Sequence, residues 1–235
     1  MLPRPIRATV ALAMLVALPF AAATAAPAEP APTAILFDAQ HLATTAKGDK
    51  LVYDLTRKVS EPKIQGEPFT DTITVDIANA EPNGTRDVVV HVMTGERARP
   101  PQAISGMTGN PLLVVFLDRA VNNLAMLAGG SRPFLKNKIK SSFVLNPEIA
   151  PAEITYKGNK VAGHWIKVTP FAGDPNALKM MGYDGMSLEI VVSDKVPGHF
   201  VNLASHYASP MKGSPRLDET ITLEGVGEIS QKGGK

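Results

Sequence analysis

Apolar residues recur at helical spacing over one long stretch of the chain, residues 110–143. Asn110 is a good helix N-cap, and Pro111 suits the first helical position because its fixed φ is already helical. The apolar positions repeat every three or four residues over residues 113–128: Leu113, Phe116, Leu117, Ala120, Val121, Leu124 and Ala128. Gly129-Gly130 ends this helix and a shorter helix follows. The pattern predicts a helical hairpin.

Elsewhere, apolar and polar residues alternate in short runs, which is typical of half-buried strands. The clearest run covers residues 70–79, where Ile73, Val75 and Ile77 share one face. We predict further strands over residues 50–59, 86–94, 154–156, 160–171, 186–193, 199–207 and 219–226. The Pro- and Gly-rich stretch from Gly95 to Gly109 is expected to be a long loop, and residues 33–46 a short first helix.

The order of these elements predicts the fold class. Strands joined by short turns pair antiparallel, and a sheet with one apolar face needs a cover. We therefore predict an α+β fold, in which a single curved antiparallel β-sheet (a half-barrel) carries the central helical hairpin on its concave face. The domain is expected over residues 33–228, followed by a disordered tail over residues 229–235.

The N-terminus has the pattern of an export signal. Arg4 and Arg7 precede an apolar run that ends in the A-x-A site Ala23-Thr24-Ala25. We predict a signal peptide over residues 1–25, cleavage after Ala25, a flexible tether over residues 26–32 and a periplasmic location. The chain has no cysteine, which excludes a lipid anchor, disulfides and thiolate metal sites. No transmembrane span is expected in the mature chain.

Charge and motif content argue against several functions. Without Arg4 and Arg7, the 24 basic residues fall to 22, equal to the 22 acidic residues, so charge gives no reason to expect a nucleic-acid partner. No nucleophile elbow, dinucleotide fingerprint or phosphate-binding loop occurs, so we predict no catalytic residues, no cofactor and no enzymatic activity.

Histidines and methionines are the remaining candidate metal ligands. The five histidines lack metal-ligand spacing and are interpreted as isolated surface or half-buried residues: His41, His91, His164, His199 and His206. Met180, Met181 and Met186 form no M-x-x-M cluster for copper and are interpreted as core residues. We therefore predict no metal site.

Parts of the chain resemble known groups of proteins. Four parts of the chain are similar to an uncharacterised family of secreted proteobacterial proteins: the segment 109–119 (GNPLLVVFLDR), Gly129-Gly130, Asp174-Pro175 and the segment 191–198 (VVSDKVPG). The order of the predicted elements resembles the topology of the half-barrel of the periplasmic lipoprotein-localisation (Lol) carriers. This order is a short helix, antiparallel strands, a helical insert and further strands. This likeness implies a concave apolar surface that could hold an acyl chain.

These observations lead to two functional hypotheses. The first is a non-enzymatic periplasmic protein that binds a lipid, an acyl chain or another hydrophobic molecule in the half-barrel hollow. Its predicted wall consists of Leu113, Phe116, Leu117, Leu124, Trp165 and Ile190. The second is a protein-interaction or envelope-assembly subunit, which would dock an envelope protein through the central helix and the loop from Gly95 to Gly109. The apolar first turn of that helix, residues 112–116, is compatible with both.

Overall fold

The structure is a computed structural model that describes residues 30–231. The predicted signal peptide, residues 26–29 of the predicted tether and residues 232–235 of the predicted tail lie outside the described residues. The strands are β1 (Lys50–Val59), β2 (Phe69–Ala80), β3 (Arg86–Val92), β4 (Gln102–Met107), β5 (Glu148–Tyr156), β6 (Asn159–Val168), β7 (Ser187–Val192), β8 (Phe200–Tyr207), β9 (Leu217–Leu223) and β10 (Val226–Gln231). The helices are α1 (Pro62–Gln65), α2 (Leu112–Ala128) and α3 (Arg132–Leu145).

All ten strands belong to one antiparallel sheet with the order β10-β5-β6-β7-β8-β9-β1-β2-β3-β4. Strand β9 lies between β8 and β1, and it therefore joins the strands that precede the helical hairpin to those that follow it. The end strands β10 and β4 do not meet, so the sheet stays open. This architecture confirms the predicted α+β fold with a single antiparallel sheet and a helical hairpin on its concave face.

The core is built on a row of aliphatic residues that crosses five neighbouring strands. Residues in register on paired strands point to the same face, so the row forms one continuous apolar band. Its members are Leu55, Ile221, Leu203, Ile190 and Ile166, each 0% exposed. Helix α2 covers this face, where the hydroxyl of Tyr207 donates a hydrogen bond to the carbonyl of Ala120 at 3.2 Å.

The side chain of Asn110 fixes the start of α2. Its Oδ1 accepts a hydrogen bond from the N–H of Leu112 at 3.0 Å, which is the capping interaction expected from the sequence. Its Nδ2 donates to the hydroxyl of Tyr53 at 2.9 Å and to the carbonyl of Gly198 at 3.0 Å. Pro111 is already helical in φ and ψ, and the regular helix begins one residue later, at Leu112.

The apolar first turn of α2 is buried on most of its circumference. Leu112, Leu113 and Phe116 are buried, Val115 is half-buried, and Val114 is 56% exposed. Within residues 30–231, no helix combines the length and the apolar character that crossing a membrane requires.

The stretch from Gly95 to Gly109 differs from the predicted loop. It contains the edge strand β4, which pairs with β3. Both faces of β4 are largely exposed, so its sequence carries no alternation of apolar and polar residues that would reveal a strand.

The C-terminal part also differs from the prediction. The single strand expected over residues 219–226 is two strands, β9 and β10, separated by a turn at Gly225, whose φ is +83°. Strand β10 reaches Gln231, beyond the expected domain end at residue 228, because Ile229 pairs with Ile154 and continues the sheet. Strand β5 begins at Glu148, six residues before the start of the strand predicted over residues 154–156. The expected first helix is confined to Ala34–Asp38.

We expect Asn110→Ala to lower the free energy of unfolding by about 2–4 kcal/mol. The substitution removes the cap of α2 and takes a donor from the buried Tyr53 hydroxyl and the Gly198 carbonyl. Urea unfolding followed by circular dichroism measures the loss. The control is Asn159→Ala at the exposed first residue of β6, where a change below about 0.5 kcal/mol is expected. Equal losses in the two variants would contradict the role of Asn110.

Candidate ligand-binding site

Most of the wall predicted from the sequence lies in or against the packed core. Leu113, Phe116, Leu124 and Ile190 are each at most 5% exposed, and Leu117 is half-buried against the same cluster. These side chains contact one another and the sheet, as core residues do at normal packing density. They pack α2 against the sheet, so a space that could hold a ligand lies in another part of the structure.

Trp165 lies on the opposite face of the sheet from these residues. Its neighbour Ile166 points to the concave face, and successive residues of a strand point to opposite faces. The indole Nε1 of Trp165 donates a hydrogen bond to Glu189 Oε2 at 3.1 Å, and the Lys167 ammonium lies 5.9 Å from the ring centroid. Trp165 therefore does not share the concave face with the other five predicted residues.

A cavity of about 600 Å³ lies between the N-terminal segment, residues 30–41, and the ends of β5, β6 and β7. We call it the apolar cavity. The N-terminal segment contributes Pro30, Ala34, Ile35 and Ala39, and the sheet contributes Pro151, Ala152, Ala162, Gly163 and Val192. Alanine, glycine and proline make up seven of its 13 lining residues, and their short side chains leave the space unfilled. The polar lining consists of His164, Ser193, Asp194 and His199.

Gly163 allows the backbone of β6 to approach the end of β7 closely. A Cβ atom at this position would collide with the carbonyl of Val192 and would lie 2.5 Å from Cδ1 of Ile154. The hydroxyl of Ser193 donates a hydrogen bond to the carbonyl of Ala162 at 2.6 Å and holds the two strand ends together. A glycine inside a strand pattern indicates such a close approach.

Three of the five histidines gather at this cavity, which corrects the interpretation of these three as isolated residues. His164 and His199 line it, and the ring of His41 lies 5.3 Å from that of His199 in a perpendicular arrangement. Nδ1 of His164 is buried and has no hydrogen-bond partner among residues 30–231. His91 and His206 instead point to the other face of the sheet, where each lies beside an aspartate.

Hydrogen bonds determine the tautomer of His41. Its Nδ1 accepts from the N–H of Asn110 at 3.3 Å, so Nε2 carries the proton and donates to the carbonyl of Ile35 at 2.8 Å. His41 is 2% exposed. The ring thus connects the N-terminal segment that roofs the cavity to the start of α2.

Burial lowers the pKa of two of these histidines, His41 and His199. Burial lowers the pKa of His41, against the opposing effect of its bond to Ile35. Burial also lowers the pKa of His199, with a further decrease from His41 and an opposing increase from Asp194. His199 has a φ of +61°, a left-handed conformation that is unfavourable for a non-glycine residue. Such backbone strain is found most often at functional sites.

The lining of the apolar cavity combines a few polar groups with apolar side chains. The imidazole rings, the Ser193 hydroxyl and the Asp194 carboxylate offer hydrogen bonds, and the rest of the lining offers apolar contact. Within residues 30–231 there is no group of three or more His, Cys, Asp or Glu side chains that could hold a metal ion. The sequence pattern did not reveal this cavity, although Gly163 inside a predicted strand was a local sign of it.

We expect the protein to lose stability as the pH falls below about 6.5. The folded state lowers the pKa of His41 and His199 from the ordinary value of 6.5, so protonation favours the unfolded chain. Their contribution is complete above that pH and is lost as the pH decreases towards their lowered pKa values. Thermal unfolding measured from about pH 8 to about pH 5 tests this dependence.

The matched variants are His41→Gln and His91→Gln. The first should flatten the dependence of the melting temperature on pH, because it removes a buried ring that must charge on acidification. The second lies on the opposite face and should keep the wild-type slope. A slope that is unchanged in His41→Gln would refute this origin of the pH dependence.

Comparison with known proteins assigns no family to the chain. No protein-family model matches it, and no curated protein sequence matches it. The candidate site therefore depends on the geometry of the apolar cavity and on the residues that line it.

Proposed function

We propose that the protein is an exported, periplasmic binding protein for a hydrophobic small molecule, such as a lipid or an acyl chain. The N-terminal pattern that ends at Ala25 supports export. We place the ligand in the apolar cavity and not among the six residues expected from the sequence.

The observation that carries this proposal is the apolar cavity with His164 at its wall. Binding sites for small molecules have volumes of about 300–1,000 Å³ and apolar linings with a few convergent polar groups. The cavity has about 600 Å³ and a mostly apolar lining. Nδ1 of His164 has no hydrogen-bond partner in the described part of the chain, so a polar group of the ligand would satisfy it.

The N-terminal segment supports binding by covering the ligand space. Ala34 and Ile35 line the cavity, and the carbonyl of Ile35 is held by His41. Phe37 of the same segment packs edge-on against Phe143 of α3, with ring centroids 5.8 Å apart. The N-terminal segment is therefore attached to α3 through Phe37 and to the start of α2 through His41.

We expect Ala162→Phe to weaken the binding of a hydrophobic probe by about tenfold or more, because the new ring occupies the cavity. Fluorescence titration with the neutral dye phenylnaphthylamine measures affinity, and displacement by palmitic acid tests an acyl ligand. Ala162 is exposed on β6, so the sheet should tolerate the larger side chain. Circular dichroism verifies the fold.

The matched control is Ala78→Phe, the same change at an exposed position of β2 outside the cavity. It should bind the dye as the wild type does. Dye binding that is equal in wild type, Ala162→Phe and Ala78→Phe would refute the proposed site.

One observation favours the alternative of a protein-interaction subunit. Strand β4, inside the segment from Gly95 to Gly109, has β3 as its one neighbour in the described sheet. An edge strand of this kind can pair with an extended segment of another protein. Native mass spectrometry of the protein purified from its own periplasm without detergent separates the two functions. An added small mass that is lost on denaturation supports the binding protein, and a co-purifying protein with no small mass supports the alternative.

A further inference from the structure

A second cavity, of about 260 Å³, is lined by three arginines: Arg57 of β1, Arg119 of α2, and Arg99, which precedes β4. We call it the arginine cavity. None of its lining residues belongs to the apolar cavity. Its other polar lining residues are the amides Gln65, Asn122 and Asn123.

One carboxylate serves two of the three arginines. Glu219 Oε2 accepts from Arg57 Nη1 at 3.0 Å and from Arg119 Nη2 at 2.7 Å, and Oε1 accepts from Arg119 Nε at 2.6 Å. Burial raises the pKa of Glu219, but the two arginines outweigh that effect and hold the pKa below its ordinary value. Glu219 is therefore ionised and neutralises one of the two charges.

Arg99 adds a further charge without a partner. Its side chain is exposed and forms no ion pair or hydrogen bond with residues 30–231. The nearby strand β2 does carry a buried acid, Asp71, whose Oδ1 accepts bonds from the N–H and hydroxyl of Thr94. Asp71 does not line the cavity. The lining itself therefore keeps an excess of positive charge.

The amide groups add to this excess of donors. The amide oxygens are all used internally: that of Gln65 accepts from the N–H of Glu61, that of Asn122 from Arg132, and that of Asn123 from Arg57. Nδ2 of Asn123 is buried and has no hydrogen-bond partner among residues 30–231. The amide oxygens of the lining are thus occupied. Nε2 of Gln65 is also used, because it donates to the carbonyl of Arg216 at 3.1 Å, so the remaining donors are the amide groups of Asn122 and Asn123 and the guanidinium group of Arg99.

We propose that the arginine cavity binds the oxyanion group of a small solute, a carboxylate or a phosphate. An anion is the ligand that this lining lacks, because it accepts several hydrogen bonds and compensates the excess charge. Arginine donates in a planar fork that matches both groups, and charge-assisted bonds of this type are stronger than neutral ones. Arg99 at the open side would bind the anion opposite Arg119.

Isothermal titration calorimetry of the full mature chain tests this site with inorganic phosphate and, separately, with acetate. Sodium chloride keeps the ionic strength constant, because exposed charges are screened by salt. We expect saturable binding of at least one anion by the wild type. Stronger binding of phosphate would identify a phosphate-bearing solute, and stronger binding of acetate a carboxylate; both results support the site.

The decisive variant is Arg99→Gln, which removes the unpaired charge without disturbing the buried cluster around Glu219. Its affinity should fall about tenfold or more, as expected for the loss of a charge-assisted contact. Lys140→Gln removes an exposed charge on α3 outside the lining and should bind as the wild type does. No saturable binding of either anion, or equal affinities of Arg99→Gln and wild type, would overturn the proposal.

Discussion

The hydrogen bonds of Asn110 are the constraint on which the arrangement of the other parts depends. One side chain caps α2 and holds β1 through Tyr53, and it binds the turn before β8 through the carbonyl of Gly198. A Cβ at Gly198 would lie 2.5 Å from Cδ1 of Leu51 and 2.7 Å from Nδ2 of Asn110. Only glycine therefore permits this close approach, and the backbone N–H of Asn110 further orients His41.

Helix α2 lines the arginine cavity through Arg119, Asn122 and Asn123, whereas none of its residues lines the apolar cavity, which has the opposite chemical character. The start of α2 is held by Asn110 beside the apolar cavity, and Asn123 lines the arginine cavity. At about 1.5 Å per residue, these two residues lie roughly 20 Å apart along the helix. This separation would allow the two proposed ligands, an apolar molecule and an anion, to bind independently of each other.

The sequence predicts the fold well where local signals and burial agree. The cap at Asn110, the helical spacing and Gly129-Gly130 predict the helical hairpin, and strict alternation predicts β1 over Lys50–Val59 as observed. Strand β4 escapes prediction because both of its faces are exposed. Apolar and polar residues alternate along a strand when one of its faces is buried, and strand propensity alone does not produce this alternation.

Neither cavity could be predicted in the same way. The lining of the apolar cavity comes from four separate segments, and register decides which side chains meet there. His164 faces it while its neighbour Trp165 faces the opposite side, a difference of one residue that periodicity alone does not resolve. Small residues such as Ala162 leave space unfilled in the structure. The spacing of hydrophobic residues along the sequence does not reveal such a space.

The position of β9 has a consequence for how the chain folds. Strands β1–β4 and β5–β8 are each contiguous in sequence, but β9 must pair with both β1 and β8 to unite them. Leu55 and its partner Ile221 are far apart in the chain, so this pairing pays a large loop-closure entropy and should be slow. Until β9 is in place, β1 and β8 each have one unpaired edge, and unpaired strand edges favour aggregation.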